Sequence, residues 1–256
     1  MADWSPTQYL KFAEERSRAA RDLLHAVPLT AARAVFDLGC GPGNSTELLV
    51  AAYPAARVVG VDNSAAMLAK ARQVLPHAEF FSADLTQWAA PAEADLLFSN
   101  ATFQWVPRHV TVLQRLLSGI KPGGVLAVQM PDNLGEPSHV AMIAAGQGAA
   151  YADKLRKASS ARDILPDVSD YYAALKPLCS RFDIWHTVYN HPLVGVDGIV
   201  EWLKGTGLRP FLEPLTPVEQ SDYLQRYMAE LAKAYPLQAD GEVLLRFPRL
   251  FMVAVK

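Results

Sequence analysis

The chain has 256 residues, of which 51% are hydrophobic and 20% charged, and a formal net charge of −2. That length suits one or two domains, the apolar share is enough for a sizeable core, and the composition is not that of a disordered chain. No basic field or stripe invites nucleic acid, no apolar run is long enough for a membrane span, and two cysteines, Cys40 and Cys179, suit a reducing, cytoplasmic setting better than a disulfide scaffold.

Thr7 to Leu24 reads as an amphipathic helix. Tyr9, Phe12, Arg16, Ala20, Leu23 and Leu24 recur at three-or-four spacing, and Glu14, Glu15, Arg18 and Arg21 fall on the other face. From Ala32 onward strand and helix alternate. The first strand carries Val35, Phe36 and Leu38 and runs into Gly39. A helix covers Ser45 to Ala52, a second strand ends at Asp62, and a helix spans Ala65 to Leu75. Strands follow at Ala78 to Ala83 and at Asp95 to Ser99, then a helix from about Arg108 to Gly119 and a fifth strand at Val125 to Met130. Repeated βα units of this size predict a parallel sheet with right-handed crossovers and ligands at the carboxyl ends of its strands.

The second half loses that rhythm. Arg181 to Leu193 reads as a long strand. Gly195 to Leu237 is helical with proline and glycine breaks. Glu242 to Val255 is a last strand, with an interruption expected at Pro248 because proline cannot donate to a central ladder. The two late strands suit an antiparallel pair at the sheet edge.

The stretch that organises the chain is Ala32 to Leu49, in which Asp37 precedes Gly39, Gly41 and Gly43 spaced G-x-G-x-G. Glycines there can take positive φ and let a ligand approach the main chain. Asn44 with Glu47 reads as a capping box opening the next helix, whose N-terminus welcomes an anionic group. Position 44 lacks the final glycine of the dinucleotide fingerprint. Asp62, at the end of the second strand, has a carboxylate able to accept two hydrogen bonds from ribose hydroxyls. Asp84 and Asn100 fall at the ends of the third and fourth strands, so four polar groups converge on one edge. For Asp84 a helix cap is an equal reading.

The D-x-G-x-G-x-G loop with Asp62 resembles the signature of class I S-adenosylmethionine methyltransferases. The resemblance implies an α/β, Rossmann-like seven-stranded sheet, mostly parallel with a late antiparallel pair and helices on both faces. It implies S-adenosylmethionine at Asp37, Gly39, Gly41, Gly43, Asp62, Asp84 and Asn100, and an N-terminal helix covering the cofactor, on which Trp4 and Tyr9 would pack. One domain over 1–256 is expected: a helical cover over 1–30, a cofactor-binding core over 31–131, and a substrate-side half over 132–256 with a helical lid at about 195–237.

More specific segments run nearly the whole chain: DWSPTQYLKFAEERSRAA, DLGCGPGNSTELL, VDNSAAML, FQWVPRH, VLAVQMPDN with EPSH after it, GLRPFL and YPLQADGEVLLRFPRLF. Together they resemble the trans-aconitate 2-methyltransferase family. What this implies is methyl transfer to a carboxylate of a small tricarboxylate. A carboxylate is already ionised at neutral pH, so no general base and no catalytic acid–base residue is expected. Orientation supplies the rate, in a dry pocket for which Phe103, Trp105 and Trp202 are candidates. The remaining carboxylates call for arginine forks. Arg16, Arg18, Arg209, Arg246 and Arg249 are candidates, with Arg18, Arg209 and Trp105 as the expected substrate-binding residues. No histidine shows metal-ligand spacing with cysteine, so no metal is expected, and no protein partner is implied. Three alternatives stay open: another acid, hydroxyl or carbon acceptor, with His109 or His139 as base for a hydroxyl; a nicotinamide-dependent oxidoreductase; and a non-catalytic S-adenosylmethionine-binding protein.

Overall fold

The computed structural model describes residues 13–160 and 162–256. The first helix, α1, spans Ala13–Ala26; Trp4, Tyr9, the Thr7 to Phe12 part of the expected helix and the Arg16 side chain lie outside the described residues. The alternation that follows is β1 (Ala34–Leu38), α2 (Asn44–Ala52), β2 (Arg57–Asp62), α3 (Ala65–Val74), β3 (Glu79–Ser82) and β4 (Leu96–Asn100). Next come a single 3₁₀ turn at Phe103–Trp105, α4 (His109–Gly119), β5 (Val125–Pro131), α5 (Pro137–Gly146), the short α6 (Arg156–Ser159) and α7 (Val168–Leu175). The chain ends with β6 (Arg181–Val194), α8 (Gly195–Lys204), the single turn α9 (Arg209–Leu212), α10 (Pro217–Ala234) and β7 (Glu242–Val255).

The seven strands form one sheet in the order β3-β2-β1-β4-β5-β7-β6. The first five are parallel, β7 runs antiparallel to β5, and β6 runs antiparallel to β7. This is the α/β arrangement expected from the glycine loop and its βα rhythm. Every residue of β1 and of β5 is buried, as strands covered by helices on both faces require. On one face α1 and Tyr53 pack over Val35, Phe98, Ala127, Phe251 and Val253. On the other, α4 and α7 cover Phe36, Leu97, Leu126, Val128 and Met252.

β6 and β7 are each 14 residues long, twice the 7 of β5. β5 leaves the sheet at Pro131, opposite Arg249, so the part of β7 before that point pairs with β6 alone. There β7 alternates, with Val243, Leu245 and Phe247 buried and Leu244 and Arg246 exposed. α5, α8, α9 and α10 cover the buried side and form a second core around Trp202, Phe211, Tyr223, Tyr227 and Leu231. This roof stands at the carboxyl end of β5, the end at which ligands of such sheets bind.

Pro248 does not interrupt β7, contrary to expectation. Its carbonyl accepts from the Asp132 amide just beyond β5, at 3.0 Å. In an antiparallel ladder a residue's N–H and C=O face the same neighbour. The missing N–H therefore faces the side that β5 has just left, and the β6 ladder loses nothing. The expected cap of α2 also differs. Asn44 is the first helical residue, the N-cap is Gly43 at φ 101°, and no side-chain cap bond forms. A capping box does exist at α10, where the Thr216 hydroxyl accepts from the Glu219 amide and the Glu219 carboxylate accepts from the Thr216 amide.

Candidate active site

The glycine turn after β1 is tied to its neighbours by main-chain groups. Gly39 and Cys40 both donate to the Val61 carbonyl, at 2.7 and 3.1 Å. Gly41 donates to Asp62 Oδ2 at 2.9 Å, and Ser64 donates to Asp62 Oδ1 at 2.8 Å. Asp62 thus spends one lone pair of each oxygen on the protein and keeps others for a ligand. Gly39 takes φ +74°, and a Cβ there would stand 2.1 Å from the Thr102 hydroxyl oxygen. Gly41 takes φ +54°, and a Cβ there would meet nothing within 4 Å. The first glycine makes room for the protein. The second leaves a cradle that a Cβ would fill, beside a carboxylate with spare acceptor capacity, which fits a nucleoside-bearing cofactor.

Asp37 lies behind this turn. It is 0% exposed, and its Oδ2 accepts from the Ser45 and Thr46 hydroxyls, both at 2.7 Å. Burial pushes its carboxyl up to about 6 despite those two bonds. Asp84 is exposed. Its Oδ1 accepts from the Thr86 amide at 2.8 Å, which holds the carboxyl below the usual range, while its carbonyl caps the turn at Gln87 and Trp88. It follows Ala83, whose amide donates to the Asp62 carbonyl, so the two acids share an edge. Asn100 ends β4 with a buried Oδ1 that has no hydrogen-bond partner among the described residues. Ala101 follows at φ 57°, held by an amide bond to the Gln129 carbonyl and by the Gln104 side chain on its own carbonyl. A strained non-glycine residue clamped at a strand end is characteristic of ligand sites.

Around the end of β5 stand three arginines. Arg249 is 5% exposed, donates to Gln129 Oε1 at 3.1 Å, and lies over the Phe247 ring at 4.9 Å. Tyr189 is beside it, with its hydroxyl donating to Asp22 of α1 and Arg18 over its ring at 5.2 Å. Arg162 enters from the loop before α7, bonds the Pro131 carbonyl and Asn133 Oδ1, and lies over the ring of the exposed Trp105 at 5.2 Å. Burial lowers its guanidinium to about 10, and its Nε is buried with no hydrogen-bond partner among the described residues. A partly desolvated guanidinium without a bonded carboxylate among those residues suits an anionic ligand.

A family model described as a methyltransferase domain matches residues 35–124. Over all 256 residues the chain is 58% identical to the trans-aconitate 2-methyltransferase of Rhodopseudomonas palustris strain BisB5, covering 100% of both. The chain belongs to the trans-aconitate 2-methyltransferase family. The family's Agrobacterium fabrum member is 53% identical over 253 residues, 99% of each chain. Among solved structures, the YcgJ protein from Bacillus subtilis superposes with a TM-score of 0.63 at 12% identity, covering 93% of this chain and 98% of that one. A Haemonchus contortus phosphoethanolamine N-methyltransferase 2 in complex with S-adenosyl-L-methionine superposes at 0.54 and 18% identity, covering 93% and 52%. Both likenesses concern the fold.

Of the residues expected at the site, Gly39, Gly41, Asp62, Asp84 and Asn100 meet on one edge of this family member. Gly43 caps α2 at the same turn. Arg18 shares the Tyr189 ring with Arg249 and Trp105 lies under Arg162, whereas Arg209 is paired with Glu213, one turn further on, and Arg246 with Glu136. Phe103 and Trp202 are core residues. Phe103 is 0% exposed in the α4-side core, and Trp202 is 2% exposed and stacks on His191 at 4.4 Å. His109 Nε2 is engaged with the Tyr171 hydroxyl at 2.6 Å, and His139, buried against Arg162, is pushed down to about 3 and stays neutral. Gln129 and Arg162 were not foreseen. Gln129 is the one polar residue in the otherwise apolar run of β5, a visible signal; nothing in the sequence around Arg162 marks it. Among the described residues no group of three His, Cys, Asp or Glu side chains is placed to hold a metal, and no helix is long and apolar enough to cross a membrane.

Proposed function

We propose that this chain transfers a methyl group from S-adenosylmethionine to a carboxylate of trans-aconitate. The observation that carries the reading is the 58% identity over the full length of a trans-aconitate 2-methyltransferase, with the Gly41 cradle and Asp62 in keeping with it. The chemistry of the bound cofactor is a sulfonium methyl, whose passage to a carboxylate oxygen leaves a methyl ester and S-adenosylhomocysteine.

The residues then divide by task. Asp62 and Asp84 would accept from hydroxyl and amine donors of the nucleoside, Gly39, Gly41 and Gly43 would let the cofactor approach the backbone, and Asn100 Oδ1 would accept from the ammonium of its methionine part. Asp37 would act from behind, by holding Ser45 and Thr46 at the start of α2. Arg18, Trp105 and the roof would bound the acceptor; Arg209 would have to leave Glu213 to serve as a clamp. A small tricarboxylate acceptor and two free cysteines suit a cytoplasmic setting. No base is required, because the nucleophile is ionised near neutrality. The protein's contribution is to align the reacting atoms and exclude water, which supplies up to roughly 7–11 kcal/mol in well-oriented systems.

The test is methyl transfer from labelled S-adenosylmethionine to trans-aconitate, cis-aconitate, isocitrate, citrate and itaconate, with the product checked for base lability. A base-labile product formed with much the highest kcat/KM on trans-aconitate is expected. Transfer to none of the acids, with the cofactor still bound, discards the acceptor.

A further inference from the structure

Gln129 lies deep in the sheet yet is polar, and half of its side-chain amide is unaccounted for. It is 0% exposed on β5, between Val128 and Met130. Burying an amide without hydrogen bonds is costly, so each half of it needs a reason. Its Oε1 accepts from Arg249 Nη1 at 3.1 Å. A guanidinium has donors and no acceptor, so only the oxygen of the amide can face it. Arg249 therefore fixes the amide's orientation and turns Nε2 the other way. That nitrogen has no hydrogen-bond partner among the described residues.

Its surroundings point to a ligand. Asn100 on β4 is Gln129's register partner, and its Oδ1 is the neighbouring buried acceptor without a partner among the described residues. The two atoms ask for opposite complements: Asn100 needs a donor and Gln129 an acceptor. Strand alternation puts both on the α1 face, with Phe98 and Ala127. Arg249 is the register partner of Pro131, the last residue of β5, so the amide reaches toward the carboxyl end of the sheet. Tyr189 and Arg18 stand beside Arg249 there.

We propose that Gln129 Nε2 donates a hydrogen bond to a non-reacting carboxylate of the acceptor, and that Arg249 is a positioning residue that presents the amide nitrogen rather than the oxygen. This rests on the reading of the acceptor as a small polycarboxylate. The pair makes specificity steep. An acceptor lacking a carboxylate at that point leaves a buried donor unpaired, and an acceptor with a donor there meets N–H against N–H.

The experiment compares wild type with Gln129→Glu, Gln129→Met and Arg249→Lys. It reads kcat and KM for trans-aconitate, calorimetric binding of trans-aconitate to protein saturated with S-adenosylhomocysteine, and the affinity for S-adenosylhomocysteine itself. Gln129→Glu keeps the bond to Arg249 and replaces the donor with a like charge. It is expected to raise the acid's KM and dissociation constant at least ~10-fold, with S-adenosylhomocysteine affinity within twofold. Arg249→Lys is expected to raise KM more than it lowers kcat. In wild type, the Gln129 side-chain amide resonances are expected to shift on titration with trans-aconitate, a readout that needs no variant to fold. Variants with wild-type acid KM, or amide resonances unmoved at saturation, overturn the proposal while wild-type turnover keeps the proposed function. Absence of turnover and of binding by wild type with every acid removes both.

Discussion

Gly39 and Gly41 stand two residues apart in one turn and answer to different demands. A methyl at Gly39 would collide with Thr102, whose hydroxyl bonds the Gly39 and Asn100 carbonyls. A methyl at Gly41 would enter open space, at a backbone cost of about 1–2 kcal/mol for a left-handed conformation. Gly39→Ala is therefore expected to lower the melting temperature more than Gly41→Ala does. Gly41→Ala is expected to stay folded and to lose at least ~10-fold in S-adenosylhomocysteine affinity by calorimetry. Unchanged affinity would mean that the cradle holds no ligand. Asp37 makes a pH-dependent contribution. Its folded pKa, raised from 3.8 to about 6, means that the native state binds the proton more tightly than the unfolded chain. Stability is then greatest below the unfolded value and falls as pH rises to about 6, after which it levels. Asp37→Asn removes that slope. Between pH 4 and 7 the stability difference should move in favour of the variant by on the order of 2–3 kcal/mol, read from denaturant unfolding at each pH. A difference that does not change with pH would show that the buried carboxyl titrates as an ordinary one.

At the scale of elements, the roof owes its position to the overhang of β6 and β7. Trp202 of α8 packs on His191 of β6 and, edge-on, against Phe247 of β7 at 5.9 Å. Trp202→Ala is expected to cost about 3–5 kcal/mol in denaturant unfolding, the usual cost of emptying a buried aromatic site. Phe247 also supports the Arg249 guanidinium, two residues along the same strand. The variant should therefore raise KM for the acid more than KM for the cofactor; equal increases would uncouple roof from acceptor. α1 covers the face of the sheet opposite α4 and α7, and it is fastened by Ala19, Ala20 and Leu23 against the strands and by the bond from Tyr189 to Asp22.

For the whole molecule, the edge that gathers the glycine turn and Asp62 was legible because its spacing is local. Asp37, the glycines and Asp62 sit at fixed places in a βα rhythm, and strand polarity alone brings Asp84 and Asn100 to the same edge. The polar groups around the end of β5 were not, because Arg18, Gln129, Arg162 and Arg249 come near one another only through a sheet order that joins β5 to the last strand. The ion pair of Arg209 and the burial of Trp202 were not legible for a simpler reason. On short helices a shift of one residue decides between pocket, ion pair and core, and spacing does not record which.

The part of the roof that carries α8, α9 and α10 leaves the sheet after Val194 and returns at Glu242, which are paired neighbours in the β6–β7 ladder, whereas α5 joins the roof from between β5 and β6. Exit and re-entry therefore coincide, and everything between them is a cassette on a hairpin. A tight two-residue turn would reconnect the same two strands without disturbing their register. Those three helices can therefore be lengthened, shortened or rebuilt without moving the β6–β7 register, the glycine turn or Asp62, none of which lies between the paired ends.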